Sequence, residues 1–188
     1  MGGDISVNSE VGRGSTFSFD IQCDVVDADS LRLAPIPKRA VALEADQPRY
    51  RLLIVDHKPN DRKLLFRLLE PFEFDVREAL NGQEALEVWA QWKPHLMWVS
   101  RRMPIMDGYD MTTRLRTFPD GRNTKIIIVS ASAFEEERNT ALAKGADDFL
   151  RKPFHESELF HLLHTHLGVR FVYEPQDRQS TPDTMPHM

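Results

Sequence analysis

At 188 residues, with 41% hydrophobic and 28% charged side chains, the chain has the composition of an ordinary globular protein rather than a disordered or membrane-spanning one. Its net charge of −5 is uneven: five Lys/Arg stand against eight Asp/Glu over 1–50 and one against three over 171–188, while the middle balances. A neutral middle with acidic ends offers no electrostatic footprint for nucleic acid, and no run of 18 apolar residues is present to span a membrane.

The opening MGGDIS formally fits a myristoylation pattern, but no basic cluster follows and the residues read better as a strand entry. No charged start leads into an apolar stretch, so no signal peptide is expected. Residues 1–22 alternate in polarity: Ile5 and Val7 share one face, and Phe17, Phe19 and Ile21 share another period-two face. VGRGS lies between them, so a β-hairpin with a Gly12/Gly14 turn is predicted. Two strands alone are marginal in water, which makes this hairpin a remnant of something larger. Residues 23–49, with Asp24, Asp27, Asp29, Pro35, Pro37 and Pro48, read as a linker. Cys23, the lone cysteine, excludes an internal disulfide and suits a reducing, cytoplasmic setting.

From residue 51 the pattern becomes strand and helix in alternation. RLLIV (51–55), FDVREA (74–79), HLMWV (95–99), KIIIV (125–129) and DDFL (147–150) read as short strands. Leu64, Leu65, Leu68 and Leu69 recur at helical spacing, with Asn60 or Asp61 as the cap and Pro71 as the stop. A second helix covers 81–92, with Ala85, Val88 and Trp89 on one stripe, and others are predicted near 108–117, 134–144 and 156–167. Five strands alternating with five helices predict an open, doubly wound parallel sheet over 50–168. Residues 169–188, with Pro175, Pro182 and Pro186, are expected to be a disordered tail.

In such sheets function gathers at the carboxyl ends of the strands. The loops there read DHKPN after Val55, SRRMPIMDG after Val99, SASAF after Val129 and RKPF after Leu150. The ordered set of LLIVD, NGQEAL, MPIMDG (103–108), SAS (130–132), GADDF (145–149) and KPF (152–154) resembles the CheY-like receiver domain of two-component signalling, over about 51–168. The first hairpin resembles the last two strands of a histidine-kinase ATPase domain. ATPase end, linker and receiver form the C-terminal layout of a hybrid sensor histidine kinase, so the chain looks like the end of such a protein, beginning inside its ATPase domain.

The resemblance implies a pocket that transfers a phosphoryl group from histidine to an aspartate ending the third strand. Mg²⁺ is held there by that Asp, two acids after the first strand and a main-chain carbonyl, while a Lys and a Ser/Thr hold the remaining phosphoryl oxygens. Read onto this chain, Asp56 stands for the first acid, His57 replaces the second, and Ser100 occupies the phosphoacceptor position. Ser130 fits the hydroxyl position, Lys152 the lysine and Phe149 the aromatic switch position. Asp107 is a turn residue rather than a replacement acid.

A complete pocket carries three carboxylates and one lysine, whereas this one is left with Asp56 and Lys152. One acid, a hydroxyl and an imidazole are a poor offer to a hard, octahedral ion, and Ser100 has no evident base to activate it. The expectation is a pseudo-receiver without Mg²⁺ or any other cofactor and without catalysis by this chain. Its partners are expected to be histidine-kinase domains or another signalling protein, met through about 134–167. Lys152 is expected to pair with Asp56, supported by the Ser100 hydroxyl. The alternatives are an active histidine kinase whose catalytic parts lie outside this sequence, and a phosphoreceiver using Asp56.

The remaining candidates have plainer readings. His161, His164 and His166 read as surface residues near a helix C-terminus, and Arg101 and Arg102 as solvated. Trp89, Trp92 and Trp98 read as packing residues, with Trp98 near enough to Ser100 to report on the pocket. GRGS at 12–15 lacks the following helix that a phosphate loop needs.

Overall fold

The computed structural model describes residues 3–23, 39–132 and 134–174. The expected tether over 24–38, the tail over 175–188 and the first two residues of the MGGDIS pattern lie outside the described residues. The N-terminal segment forms the expected hairpin, β1 (Ile5–Glu10) antiparallel to β2 (Gly14–Phe19). Gly12 and Gly14 take φ of +82° and +97°, a left-handed backbone open to glycine at little cost. Ile5 faces Phe19 and Val7 faces Phe17 across the register, and all four side chains are exposed.

A second unit follows. After β3 (Ala40–Leu43) come β4 (Arg51–Val55), α1 (Pro59–Leu69), β5 (Asp75–Ala79), α2 (Gly82–Trp92), β6 (Leu96–Ser100) and α3 (Gly108–Arg116). Then come β7 (Lys125–Ser130), α4 (Glu135–Ala143), β8 (Asp148–Arg151), α5 (Glu156–Leu167) and β9 (Phe171–Tyr173). Five strands form one parallel sheet in the order β5-β4-β6-β7-β8. This is the predicted doubly wound, flavodoxin-like topology, and its strand order reverses beside β4, where β4 and β6 are neighbours.

Strand alternation divides the core in two. Leu52, Ile54, Leu96, Trp98, Ile127 and Val129 face Leu65 and Leu69 of α1 and Leu159, Phe160 and Leu163 of α5. Leu53, Val55, Met97, Val99, Ile126 and Ile128 face Ala85 and Trp89 of α2, Met111 and Leu115 of α3 and Ala141 of α4. Both faces are covered, so the strands read as continuous apolar runs. Asn81 caps α2 by accepting the Gln83 and Glu84 N–H groups at 3.0 Å each, and Asp107 caps α3 by accepting those of Tyr109 and Asp110 at 2.9 Å.

Two boundary expectations need correction. Residues 40–43, assigned to the linker, and 171–173, assigned to the tail, pair as the antiparallel strands β3 and β9. Ala40, Val169 and Phe171 are buried against the α1/α5 core, and Phe171 stacks near Phe72 and Phe160 with ring centroids 5.4 and 4.7 Å away. Strands of four and three residues are too short to show a period, and they become stable only where each supplies the other's hydrogen bonds. The α1 N-cap is Lys58, with Pro59 in the first turn, rather than Asn60 or Asp61. Proline tolerates the first helical position because its missing N–H would have no partner there.

Candidate functional site

The carboxyl ends of β6, β7 and β8 bring Ser100, Ser130 and Lys152 around one cavity of about 470 Å³, and Asp56, at the end of β4, lies behind Lys152. Asp56, Ser100 and Ser130 are 3%, 8% and 7% exposed, so their polar groups work with little help from water. The Asp56 backbone N–H donates to the Ala79 carbonyl at 3.2 Å, extending the β4–β5 ladder one residue into the loop. Its carboxylate accepts the Lys58 N–H at 2.9 Å, lies 3.4 Å from His57 Nδ1 and receives Lys152 Nζ at 3.2 Å. His57 itself is exposed at the cavity mouth. The Lys152 N–H donates to the Ser130 carbonyl at 2.7 Å, which fixes the lysine at the end of β8.

The expected Lys152–Asp56 pair is present, but its support differs from expectation. Ser100 makes no hydrogen bond to either partner among the described residues. Asp61 does: its Oδ2 lies 2.6 Å from Lys152 Nζ, closer than Asp56. In the first turn of α1, Asp61 reaches back to the strand ends, and nothing in PNDRKLL distinguished it from a capping residue. The lysine therefore bridges two carboxylates.

A second polar cluster runs from Ser130 at the end of β7 to Glu137 in the first turn of α4. The Ser130 hydroxyl donates to Glu137 Oε2 at 2.9 Å and accepts the Ser132 N–H at 3.2 Å. The other Glu137 oxygen is engaged by the Arg101 guanidinium, and the Tyr109 hydroxyl donates to the Glu137 carbonyl at 3.2 Å. Arg101 also lies 5.6 Å from the Tyr109 ring centroid. Arg101 is thus paired and half-buried, which corrects its reading as solvated, while Arg102 is exposed as expected. Glu137 escaped the sequence reading because an acidic run opening a helix is what the helix dipole favours anyway. Burial pushes the Tyr109 phenol up; Arg101 opposes the rise, and the Glu137 and Asp107 carboxylates reinforce it.

Gly108 closes the loop after β6. A Cβ on it would lie 2.5 Å from the Ser100 carbonyl oxygen, so the MDG turn approaches the strand end in a way a side chain would block.

Phe149 is half-buried and packs on the α2/α3/α4 core. Beside it, burial pushes the Asp148 carboxyl up, but the Phe149 N–H, His166 and Arg138 together outweigh that and hold it below the usual carboxylate range. His166 Nε2 lies 3.0 Å from Asp148 Oδ2, and His164 Nδ1 lies 2.9 Å from the Val169 carbonyl. The surface reading therefore fails for His166, which is half-buried with a defined partner; His161 is exposed. Trp89 and Trp98 are buried packing residues. Trp89 Nε1–H donates to Thr124 Oγ1 at 2.9 Å, whereas Trp98 Nε1 is buried with no hydrogen-bond partner among the described residues. A groove of about 490 Å³ runs along α4, β8 and α5. No described helix is long and apolar enough to cross a membrane.

Comparison with known proteins gives this geometry a family. A 14.6 kDa uncharacterized protein of Leptolyngbya boryana is 38% identical over 112 residues, covering 60% of this chain and 86% of that protein. The probable transcriptional regulator ycf27 of Porphyridium aerugineum is 31% identical over 137 residues, covering 73% of this chain and 53% of that protein. The transcriptional regulatory protein SrrA of Staphylococcus aureus is 36% identical over 108 residues, covering 57% and 44%. The chain thus spans about half the length of these two regulators. Among solved structures, the receiver domain of sensor histidine kinase PA1611 from Pseudomonas aeruginosa, with magnesium coordinated in its active-site cleft, superposes with a TM-score of 0.60 at 26% identity. It covers 64% of this chain and 99% of that one. The receiver domain of a Syntrophus aciditrophicus signal transduction histidine kinase gives 0.59 at 25% identity, covering 73% and 99%. The family model for the response regulator receiver domain matches residues 52–164, more than half of the sequence and all five strands of the sheet, and the chain belongs to that family.

Proposed function

We propose that this chain is a degenerate receiver, a module of two-component signalling that keeps the receiver fold and acts by protein contact rather than by accepting a phosphoryl group. The observation that carries the reading is the state of Asp56. It is the one acid at the end of β4, and its carboxylate is already engaged by the Lys58 N–H and the Lys152 ammonium.

The residues present do not fit Mg²⁺. The ion needs several oxygen ligands in a strict octahedron. Here the second acid position is His57, the strand-end position opposite is the hydroxyl of Ser100, and the added carboxylate, Asp61, is tied to Lys152. Lys152, the lysine that would hold a phosphoryl oxygen, is already taken up by both carboxylates, and no metal draws a phosphoryl group onto Asp56. Among the described residues, the Ser100 hydroxyl has no hydrogen bond to a general base that could activate it.

The partners are histidine-kinase domains or another signalling protein, met through about 134–167. The groove along α4, β8 and α5 supports this, with Phe134 73% exposed at its rim and Arg138, Asp148 and Arg151 along its wall. A place at the C-terminal end of a hybrid sensor histidine kinase accounts for the hairpin of β1 and β2 as the last strands of an ATPase domain. The similarity to receiver domains of two sensor kinases supports that placement. The module would then tune phosphoryl flow in a kinase while taking none itself.

Intact-mass spectrometry after incubation with acetyl phosphate and Mg²⁺ tests the reading. An unchanged mass is expected. A base-labile gain of about 80 Da, the phosphoryl increment, lost in Asp56→Asn, would establish Asp56 as an acceptor instead.

A further inference from the structure

The walls of the strand-end cavity carry an excess of cations. Lys58, Arg101, Arg102, Lys152 and Asp61 line it, and Asp56 and Glu137 pair with Lys152 and Arg101 from behind, which leaves one net positive charge over the group before His57 is counted. A cavity edged by four cations suits an anion better than a divalent cation. Its position agrees, because open parallel sheets bind ligands at the carboxyl ends of strands beside the point where strand order reverses.

One of the three carboxylates differs in kind from the others. Asp56 belongs to the strand end, and Asp61 neutralises Lys152 from within α1. Glu137 enters from α4 and holds a hydroxyl and a guanidinium together, Ser130 at 2.9 Å and Arg101 beside it. A hydroxyl donor and a forked guanidinium around one carboxylate is the arrangement that binds a phosphate oxygen. Glu137 follows two other acids, Glu135 and Glu136, which already satisfy the helix dipole from exposed positions. Its inward turn is therefore not required by α4 itself.

We propose that Glu137 is the resident anion of a metal-free oxyanion site: it occupies the place of a phosphate-class ligand between Ser130 and Arg101, and it holds α4 over the cavity while it does so. The ligand class is a small tetrahedral oxyanion, free or carried on a larger molecule. It would be bound by Ser130, Arg101 and the Ser100 hydroxyl, which makes no hydrogen bond among the described residues, with Arg102 and Lys58 at the mouth. Binding requires Glu137 to swing out, which couples occupancy of the site to the position of α4 and thus to the groove beside it. The inference rests on the degenerate-receiver reading, because a pocket that held Mg²⁺ would bind its anion through the metal.

The probe is inorganic phosphate, titrated in EDTA into the full chain and into Glu137→Gln, with backbone amide shifts recorded by NMR. Glu137→Gln keeps the side-chain volume and removes the competing charge. At least tenfold tighter phosphate binding than wild type is expected, with shifts centred on Arg101, Ser130 and Ser132, together with faster amide exchange through the first turn of α4. Adding Arg101→Gln to Glu137→Gln should abolish the gain. Equal affinity in wild type and Glu137→Gln, or shifts centred elsewhere, would overturn the proposal. Glu137→Ala serves as a second variant with the same expectation, should the glutamine rebuild the hydrogen bond to Ser130. The acetyl phosphate experiment with Mg²⁺ fails or succeeds independently: a mass gain removes the degenerate-receiver reading, whereas phosphate indifference of Glu137→Gln with unchanged mass removes only this inference.

Discussion

Lys152 and Asp61 meet at 2.6 Å across 91 positions of sequence, and this contact joins the end of β8 to the first turn of α1. Asp56 lies 3.2 Å from the same ammonium and is almost completely buried. The three groups behave as one charged unit rather than as an isolated pair. Removing the lysine strands two carboxylates, while removing either acid leaves the lysine partly compensated. Lys152→Met is therefore expected to cost about 2–4 kcal/mol in urea denaturation and Asp61→Asn about 1 kcal/mol. The Lys152→Met/Asp61→Asn double variant should recover part of the sum, by about 0.5–2 kcal/mol. Strictly additive losses would show that the contact carries no coupling.

Gly108→Ala tests the close approach of the MDG turn to β6. With an added Cβ 2.5 Å from the Ser100 carbonyl, the loop must retreat or the strand end must shift. A loss of about 1–3 kcal/mol is expected, the range for overpacking. It should be accompanied by chemical-shift changes at Ser100 and Arg101. An alanine tolerated without either change would mean that the turn is not held where the structure puts it.

The β3–β9 pair makes a prediction about where the folded unit stops. Phe171→Ala removes a ring buried against Phe72 and Phe160 and should lower stability by about 3–5 kcal/mol. Val172→Ala, two-fifths exposed on the same strand, should change it by less than about 0.5 kcal/mol. Thermal melts of the two variants separate a structural strand from a dispensable tail: equal midpoints would favour the tail.

His95 predicts a pH dependence. Its Nδ1 accepts the Arg51 N–H at 2.9 Å, so the neutral ring is the form built into the fold. Burial, then the Arg51 charge, pull its pKa below the ordinary 6.5. The unfolded chain therefore binds the proton first as pH falls. The stability this residue contributes is complete above about pH 6.5 and drains away below it, with a limiting slope of about 1.4 kcal/mol per pH unit. Denaturation midpoints of wild type and His95→Asn, compared at pH 7.5 and 5.5, should converge at the lower pH. A constant gap would refute the assignment.

Most of the scaffold was legible because its signals are local. RLLIV, HLMWV and KIIIV are apolar on both faces and bounded by turn residues, a pattern suited to strands covered on each side. The helices expected over 81–92 and near 108–117 begin where Asn81 and Asp107 side chains reach the next few N–H groups, a local signal even though neither residue was named as a cap. The loops after Val55, Val99, Val129 and Leu150 could likewise be named as one site, since a parallel sheet puts every carboxyl end on the same edge.

The misses share a cause as well. Asp61, Glu137 and His166 all stand in helices at positions where a charged or polar residue needs no special explanation, and their partners are 91, 36 and 18 residues away. β3 and β9 were hidden for the same reason, since neither has enough residues to declare a period and each exists through the other. Chain order alone settles which elements form and which edge of the sheet collects the loops, because those follow from short-range geometry and from which faces must leave water. Which carboxylate reaches Lys152, which one reaches Ser130, and where the folded unit closes depend on side chains brought together only when the helices pack, and those contacts have no counterpart in local spacing.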